Sequence, residues 1–159
     1  MQKIFLETSF FNFLDTLDSP VKMAETVGLF EILKNNDETR LFSSRSVITE
    51  ILRCYEPKRT FMLNKMADIC EKIFNVTSLE RNLAKEYMDN GVLTPSSYSD
   101  LIHVATAVLN DCPLILSWNM KHLSNMKTVF RVNEINVKKN LPLVQILTPI
   151  RYLEEQNNE

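Results

Sequence analysis

Residues 97–119 of this chain read SYSDLIHVATAVLNDCPLILSWN, a helix-like pattern followed directly by a strand-like one. A helix is predicted to begin at Ser97, because apolar residues recur at the spacing of one helical face: Leu101, Val104, Ala105, Val108 and Leu109. The run from Pro113 to Ser117 is short and apolar and is followed by Trp118-Asn119, which is typical of a buried strand with polar groups at its carboxyl end. A helix joined to a buried strand is the repeating unit of α/β proteins.

The rest of the chain repeats this alternation. Four more strands are predicted, at Lys3–Leu6, Arg40–Ser43, Phe74–Thr77 and Leu143–Leu147. The predicted helices between them run from Pro20, behind a Ser19 N-cap, to about Lys34; from a Ser46 N-cap to Tyr55; from Pro57 to Ile73; and from Leu79 to Asp89, where Asn90-Gly91 ends the helix. We therefore predict a single α/β domain over residues 1–159, a three-layer α/β/α sandwich with a mainly parallel central sheet.

Composition excludes several classes of protein. Lys and Arg number 18 against 20 Asp and Glu, a formal net charge of −2, so bulk positive charge does not hold nucleic acid and a local basic patch would be needed. The only glycines are Gly28 and Gly91, which excludes Gly-rich phosphate loops of the Walker or Rossmann type.

The cysteines and the amino-terminal segment indicate the compartment. Three widely spaced cysteines and two histidines argue against a disulfide framework and a structural zinc site. An acid at Glu7 interrupts the first apolar run, and no apolar run approaches the ~20 residues of a membrane span. A soluble, cytoplasmic protein without membrane contact is expected.

Four polar residues stand where the carboxyl ends of parallel strands would bring them together. They are Glu7 after the first strand, Glu50 in the helix after the second, Asp100 in the first turn of the 97–109 helix, and Asn119 after the late strand. Carboxylates and an amide suit a hard divalent cation such as Mg²⁺ or Mn²⁺. Such a cation would polarise a phosphoryl oxygen and activate water for phosphodiester hydrolysis.

Each of the four also has an ordinary structural interpretation. Glu7 would then be an ordinary carboxylate at the end of a strand, and Glu50 a solvated helix carboxylate that interacts with the helix dipole. Asn119 would cap the segment after it. Ser97-Tyr98-Ser99-Asp100 is by itself the pattern of a capping box. His103, three residues after Asp100, is expected to be packed or hydrogen-bonded rather than catalytic.

Several segments together resemble the PIN-domain family, the ribonuclease fold of VapC-type toxins. The segments, in chain order, are IFLETS at 4–9, VITEIL at 47–52, SDLIHVATA at 99–107, LILSWNMKH at 114–122, NEIN at 133–136 and ILTP at 146–149. The resemblance spans nearly the whole chain. It implies a divalent-metal-dependent ribonuclease acting on single-stranded RNA, with Mg²⁺ or Mn²⁺ as cofactor, and an antitoxin protein and a second copy of the chain as partners.

The resemblance also implies roles for particular residues. Glu50 and Asp100 match metal-ligand positions, and Asn119 stands where many members have Asp, as a neutral ligand or water holder. Thr8 or Ser9 would line the same pocket with a hydroxyl group. Lys121 and His122 lie beside the site and would meet substrate phosphates, with Arg45 and Arg53 as weaker candidates.

Glu7 departs from the family, in which this position is nearly always Asp. The added methylene moves the carboxylate by roughly an ångström, whereas Mg²⁺ demands near-ideal octahedral geometry. The alternative function is therefore a catalytically degenerate PIN-like domain that binds RNA or another protein. A phosphatase of the haloacid dehalogenase type or a receiver domain is disfavoured, because Glu7-Thr8-Ser9 lacks the acidic pattern that either needs.

Overall fold

A computed structural model describes all residues, 1–159. Five strands form one sheet in the order β3-β2-β1-β4-β5, and every neighbouring pair is parallel. The strands are β1 (Gln2–Leu6), β2 (Thr39–Ser44), β3 (Lys72–Phe74), β4 (Leu114–Leu116) and β5 (Gln145–Leu147). The predicted α/β fold with a parallel sheet is confirmed.

Eight helices connect and cover the strands. They are α1 (Thr8–Asn12), α2 (Pro20–Lys34), α3 (Arg45–Ile51), α4 (Lys58–Ile69), α5 (Ser78–Asp89), α6 (Tyr98–Leu109), α7 (Met126–Lys138) and α8 (Pro149–Asn157). From β1, the strands β2 and β3 follow toward one edge of the sheet, and β4 and β5 follow toward the other edge. Right-handed connections therefore place the helices of the first half and those of the second half on opposite faces of the sheet. None of the helices has both the length and the apolar character needed to cross a bilayer.

β1 is the central strand, and its last three residues are fully buried. Ile4, Phe5 and Leu6 have no exposed surface and belong to a core cluster of 35 buried apolar residues. Leu6 is in register with Leu116 of β4, and Phe5 is in register with Phe42 of β2. The carboxyl ends of β1, β2 and β4 therefore meet at one edge of the sheet.

The helix after β2 differs from the prediction at both ends. Its N-cap is Ser44, whose hydroxyl accepts the Val47 N–H at 3.3 Å, so the prediction of Ser46 as the cap was wrong. The helix ends at Ile51 rather than continuing to Tyr55. Ser46 lies within the first turn, where its hydroxyl group bonds to other side chains.

Three other predicted boundaries were displaced. α4 ends at Ile69 rather than Ile73, β3 occupies Lys72–Phe74 rather than Phe74–Thr77, and β5 begins at Gln145 rather than Leu143. The position of β3 follows from its pairing, since its three residues are in register with the last three residues of β2. Pairing with a neighbouring strand, rather than local apolar content, sets the bounds of these short strands.

Three helices were not predicted: α1, α7 and α8. In α7 the fully covered residues are Thr128, Val132 and Asn136, whereas Phe130 and Val137 are exposed. Two of the three buried residues are polar, and the apolar residues of α7 lie on both sides, since Val129 and Ile135 pack against the core while Phe130 and Val137 are exposed. The apolar pattern of this segment therefore marks the buried face only in part.

Candidate active site

The edge where β1, β2 and β4 end carries the candidate site. Glu7 follows β1 directly and Ser117 follows β4 directly, while α3, which continues from β2, carries Glu50 on its second turn. The Glu7 N–H donates to the Leu116 carbonyl oxygen at 3.2 Å, which extends the pairing of β1 and β4 to this point. The predicted convergence at the strand ends therefore holds for these segments.

Glu7 is 4 % exposed, and one of its carboxylate oxygens is heavily hydrogen-bonded. Oε2 accepts the Ser9 N–H at 3.1 Å, the Ser9 hydroxyl at 2.5 Å and the Ser117 hydroxyl at 2.8 Å. The same two hydroxyl groups accept the backbone N–H groups of Trp118 and Asn119, at 2.8 and 3.0 Å. The segment after β4 thus holds the Glu7 side chain in one orientation and leaves Oε1 without a hydrogen bond.

Glu50 is held in a similar way through its Oε1 atom. Oε1 accepts the Thr8 hydroxyl at 2.7 Å and is hydrogen-bonded to Nε2 of His103. The other ring nitrogen of His103, Nδ1, lies 3.0 Å from the Ser46 hydroxyl. Because His103 is fully buried and both ring nitrogens are engaged, it orients Glu50. The predicted hydrogen-bonded role of His103 fits these contacts.

The pKa shifts of this pair favour an ion pair. Burial raises the pKa of Glu50, but the hydrogen bonds from His103 and Thr8 and the nearby positive charges outweigh burial and bring this pKa below its usual value. Burial lowers the pKa of His103, but Glu50, together with the charges of Glu7 and Asp100, outweighs burial and raises that pKa. The charge of each partner is thus favoured by the other.

Asp100 lies in the first turn of α6, half-buried, and its carboxylate makes no hydrogen bond within the chain. The capping-box interpretation of this residue was wrong, because the Ser97 side chain makes no capping hydrogen bond. Burial raises the pKa of Asp100, and the negative charges of Glu7 and Glu50 raise it further, against smaller opposing effects of His103 and His122. Three carboxylates therefore repel one another here, and a cation would relieve that repulsion.

The donor set fits a hard divalent cation. Ligand atoms of Glu7, Glu50 and His103 lie within 4.8 Å of one another, and Asp100 lies near this group without belonging to it. Glu7 Oε1 and Glu50 Oε2 receive no hydrogen bond from the chain, so each carboxylate has one fixed oxygen and one available oxygen. Carboxylate oxygens are the ligands preferred by Mg²⁺ and Mn²⁺.

Asn119 is near this group but uses its amide oxygen elsewhere. Oδ1 accepts the His122 N–H at 3.1 Å, and the Asn119 carbonyl accepts the N–H groups of Leu123 and Ser124. This is the capping arrangement considered for Asn119 from the sequence. Its connection to the acidic group runs through the Ser117 hydroxyl, which accepts the Asn119 N–H.

The predicted substrate-binding residues fall into two sets. The hydroxyl groups of Thr8 and Ser9 donate to Glu50 and Glu7, so they position carboxylates at the edge of the pocket. Lys121 is exposed and His122 is half-buried, and both line an open groove beside the site.

The weaker basic candidates flank α3. Arg45 is exposed and donates to the Asn75 side chain at 3.0 Å. Arg53 is exposed and near enough to Glu50 to lower its pKa.

Ser117 and Ser46 were not predicted as site residues. Ser117 stands at the carboxyl end of β4, and that position is the one sequence signal that marks it. Ser46 carries no such signal, because its contact with His103 joins residues 57 positions apart.

The chain superposes on solved structures of a known fold. A chain of the VapBC2 complex from Rickettsia felis, solved with a DNA fragment from its promoter, superposes with a TM-score of 0.58 at 13 % identity, covering 92 % of this chain and 98 % of that chain. The sarcin–ricin-loop-cleaving toxin VapC20 of Mycobacterium tuberculosis superposes with a TM-score of 0.55 at 16 % identity, covering 70 % and 86 %. This chain has the VapC-like PIN-domain fold. The expectation drawn from the sequence segments is confirmed for the PIN fold.

Sequence comparisons add nothing to this assignment. No protein-family model and no curated protein matches the chain. At 13 % and 16 % identity, the two superpositions establish the PIN fold.

Proposed function

We propose that this chain is a divalent-metal-dependent ribonuclease that hydrolyses phosphodiester bonds of single-stranded RNA. The observation that carries the proposal is the convergence of Glu7 and Glu50, whose ligand atoms lie within 4.8 Å at the edge of a PIN-fold sheet. The pKa of Asp100 supports the same proposal. Burial and the negative charges of Glu7 and Glu50 raise this pKa, and a bound cation would offset these charges. One structural neighbour is described as a sarcin–ricin-loop-cleaving toxin.

In this proposal Glu7, Glu50 and Asp100 bind Mg²⁺ or Mn²⁺, with Asn119 as a neutral member of the pocket. A divalent cation bound there would supply Lewis acidity toward a phosphodiester group and lower the pKa of nearby water. The chain contributes orientation: Ser9 and Ser117 fix Glu7, while Thr8 and His103 fix Glu50. Fixed ligands lower the reorganisation needed when a cation and a substrate bind.

The test combines metal binding with cleavage. Calorimetric titration of Mn²⁺ is expected to give saturable heat with the native chain and none with Asp100→Asn. Cleavage of labelled single-stranded RNAs is expected to need Mn²⁺ or Mg²⁺, to stop with EDTA, and to be lost in Asp100→Asn.

Asp37→Asn is the matched control. It removes one carboxylate from an exposed position in the loop before β2, at the opposite edge of the sheet, so both readouts should equal those of the native chain. Cleavage that survives in Asp100→Asn, or a native preparation that cleaves none of a varied set of RNAs, would contradict the proposal.

A catalytically degenerate domain that binds RNA or another protein is the second candidate. The observation that favours it is Asn119, which is uncharged and whose amide oxygen is engaged with the His122 N–H. RNA binding that persists in EDTA, without cleavage under any metal condition, would support this candidate. Metal-dependent turnover would exclude it.

The proposal includes an antitoxin protein as partner and a homodimer as the assembly. One structural neighbour was solved as a VapBC2 complex, which supports looking for such a partner. Co-purification with the product of an adjacent gene, and the mass of the purified chain in solution by light scattering, test these two points separately.

A further inference from the structure

An open groove of about 630 Å³ lies between the segment that follows α5 and the start of α7. Residues 91–94 form one wall, and the segment from Met120 through the first turns of α7 forms the other. Its ionisable lining residues are Lys121, His122, Lys127 and Arg131. No Asp or Glu lines this groove, although the chain has 20 of them.

The positively charged residues of the groove, Lys121, Lys127 and Arg131, have no carboxylate partner within 4.0 Å. Arg131 is positioned by donating from Nη1 to the Gly91 carbonyl oxygen at 3.0 Å, which leaves its charge uncompensated. A second groove, of about 500 Å³ at the amino-terminal edge of the sheet, differs in this respect. There Lys34 and Arg40 form ion pairs with Asp68 and Glu71.

The basic groove adjoins the acidic site. His122 lines the groove and is near enough to Asp100 to lower its pKa. The His122 N–H donates to Asn119 Oδ1, and Asn119 is joined through the Ser117 hydroxyl to Glu7. A chain of three hydrogen bonds thus connects the wall of the groove to the carboxylates.

The acidic site cannot by itself attract a polyanion. Glu7, Glu50 and Asp100 repel phosphates, and the net charge of the whole chain is −2. A single-stranded RNA that presents one phosphate to this site must therefore gain affinity through its other phosphates, which need a nearby surface with uncompensated positive charge. The groove is such a surface.

We infer that this groove binds the phosphodiester backbone of single-stranded RNA on one side of the bond held at the acidic site. Lys121, Lys127 and Arg131 contact successive phosphates, and His122 lies between them and the carboxylates. The inference rests on the proposed function and names the path of its substrate. Phosphate contacts of this kind position the strand and carry no sequence information.

The test measures affinity without turnover. Fluorescence anisotropy of a labelled single-stranded RNA is recorded in EDTA over a series of salt concentrations, for the native chain and for the double variant Lys127→Gln/Arg131→Gln. Each lost phosphate contact on a single strand lowers the slope of log affinity against log salt by about 0.7, so the double variant should lower it by about 1.4. Its affinity at low salt should fall at least about tenfold.

The matched control is Lys34→Gln/Arg40→Gln, which removes the same charge from the mixed groove at the opposite edge. It is expected to leave the salt slope unchanged, whereas Arg131→Lys should retain most of the affinity because it keeps the charge. Thermal melting checks that each variant is folded. A double variant with native affinity and slope, equal losses in the control, or no RNA binding by the native chain at low salt would each overturn the inference.

The outcomes separate this inference from the proposed function. RNA cleavage by the native chain, with affinity unchanged in Lys127→Gln/Arg131→Gln, overturns the groove alone. Loss of affinity in that variant, with no cleavage by the native chain under any metal condition, supports the groove and overturns the nuclease.

Discussion

Glu7 shows how one residue is adapted to a site built from several segments. Its Oε2 atom accepts three hydrogen bonds from Ser9 and Ser117, while its Oε1 atom accepts none. By resemblance to the family this position would carry Asp, and here the hydroxyl groups of two serines hold the carboxylate of the longer Glu side chain. A hydrogen bond to a charged acceptor contributes about 1.5–3 kcal/mol. The geometry of Glu7 is therefore sensitive to each serine.

Ser117→Ala tests this sensitivity. The substitution removes a buried 2.8 Å hydrogen bond to Glu7 and the acceptor of the Asn119 N–H. We expect a loss of about 1.5–3 kcal/mol in the free energy of unfolding, measured by urea denaturation at neutral pH.

Ser124→Ala is the control for that loss. The Ser124 hydroxyl is buried and has no hydrogen-bond partner, so its removal should leave stability unchanged or raise it slightly. Equal destabilisation by the two substitutions would mean that the Glu7 hydrogen bond is not the cause.

His103→Gln tests the orientation of Glu50. Histidine joins Glu50 to Ser46 through its two ring nitrogens, and residues that orient metal ligands typically contribute about 10–100-fold in metal affinity. We expect a decrease of that size in Mn²⁺ affinity by calorimetry, and a smaller decrease for Ser46→Ala.

Thr49→Ala, on the exposed side of the same helix, should leave Mn²⁺ affinity unchanged. If His103→Gln binds Mn²⁺ as the native chain does, the histidine has a purely structural role.

At the scale of the elements, sequence pattern predicted most of the longer helices and the apolar strands, and it missed the five-residue helix α1 although its buried residues, Phe10 and Phe11, are apolar. α6 matched the prediction to within one residue at its start, because its apolar stripe is the face that is buried. α7 was missed because its buried face includes Thr128 and Asn136, whose environment is set by other segments. Asn136, for example, accepts the Tyr87 hydroxyl of α5.

The same distinction applies to the candidate site. Glu7 and Glu50 were predicted because parallel strands end at one edge of a sheet and because the segments that carry these residues resemble PIN-domain motifs. Ser117 is marked in the sequence only by its place directly after β4, and Ser46 carries no such signal because its contact with His103 spans 57 residues. Local sequence carries no record of such partners.

The amino terminus of α5 provides a pH-dependent prediction. Thr77 and Glu80 form a capping box in which Glu80 accepts the Thr77 N–H at 2.8 Å. Burial raises the pKa of Glu80, but the hydrogen bonds from Thr77 outweigh burial and hold this pKa below its usual value. Since the folded-state pKa is lowered, the contribution of Glu80 to stability is present above its unfolded pKa and is lost as the pH falls through the folded value.

Glu80→Gln should therefore be less stable than the native chain at pH 7 and approach it at pH 3, by thermal melting at both pH values. Thr77→Ala should cost about 1 kcal/mol by loss of the cap. A stability difference between Glu80→Gln and the native chain that is the same at both pH values would contradict the assignment.

At the scale of the whole molecule, the reactivity of the three cysteine thiols measures how well each part of the core is protected from solvent. Cys112 is 1 % exposed, and burial raises its pKa to about 11. Burial also raises the pKa of Cys70 to about 12, whereas Cys54 is half-buried on the segment after α3. Because the thiolate is the reactive form, the three thiols should differ in reactivity.

We expect N-ethylmaleimide at pH 7.5 to label Cys54 in the native chain, and Cys112 only when the molecule unfolds. Mass spectrometry across a urea series should show Cys112 labelling that follows the circular dichroism transition. Labelling of Cys112 in the absence of urea, as fast as that of Cys54, would mean that the core opens locally.

The pairing of β1 with β4 has a consequence for synthesis of the protein. Glu7 leaves the ribosome more than a hundred residues before Ser117, which orients it, and before the strand that flanks β1 on that side. A nascent chain that ends before residue 114 holds Glu7 and Glu50 without the segment that anchors Glu7. Translation thus leaves the acidic site unfinished until β4 has emerged.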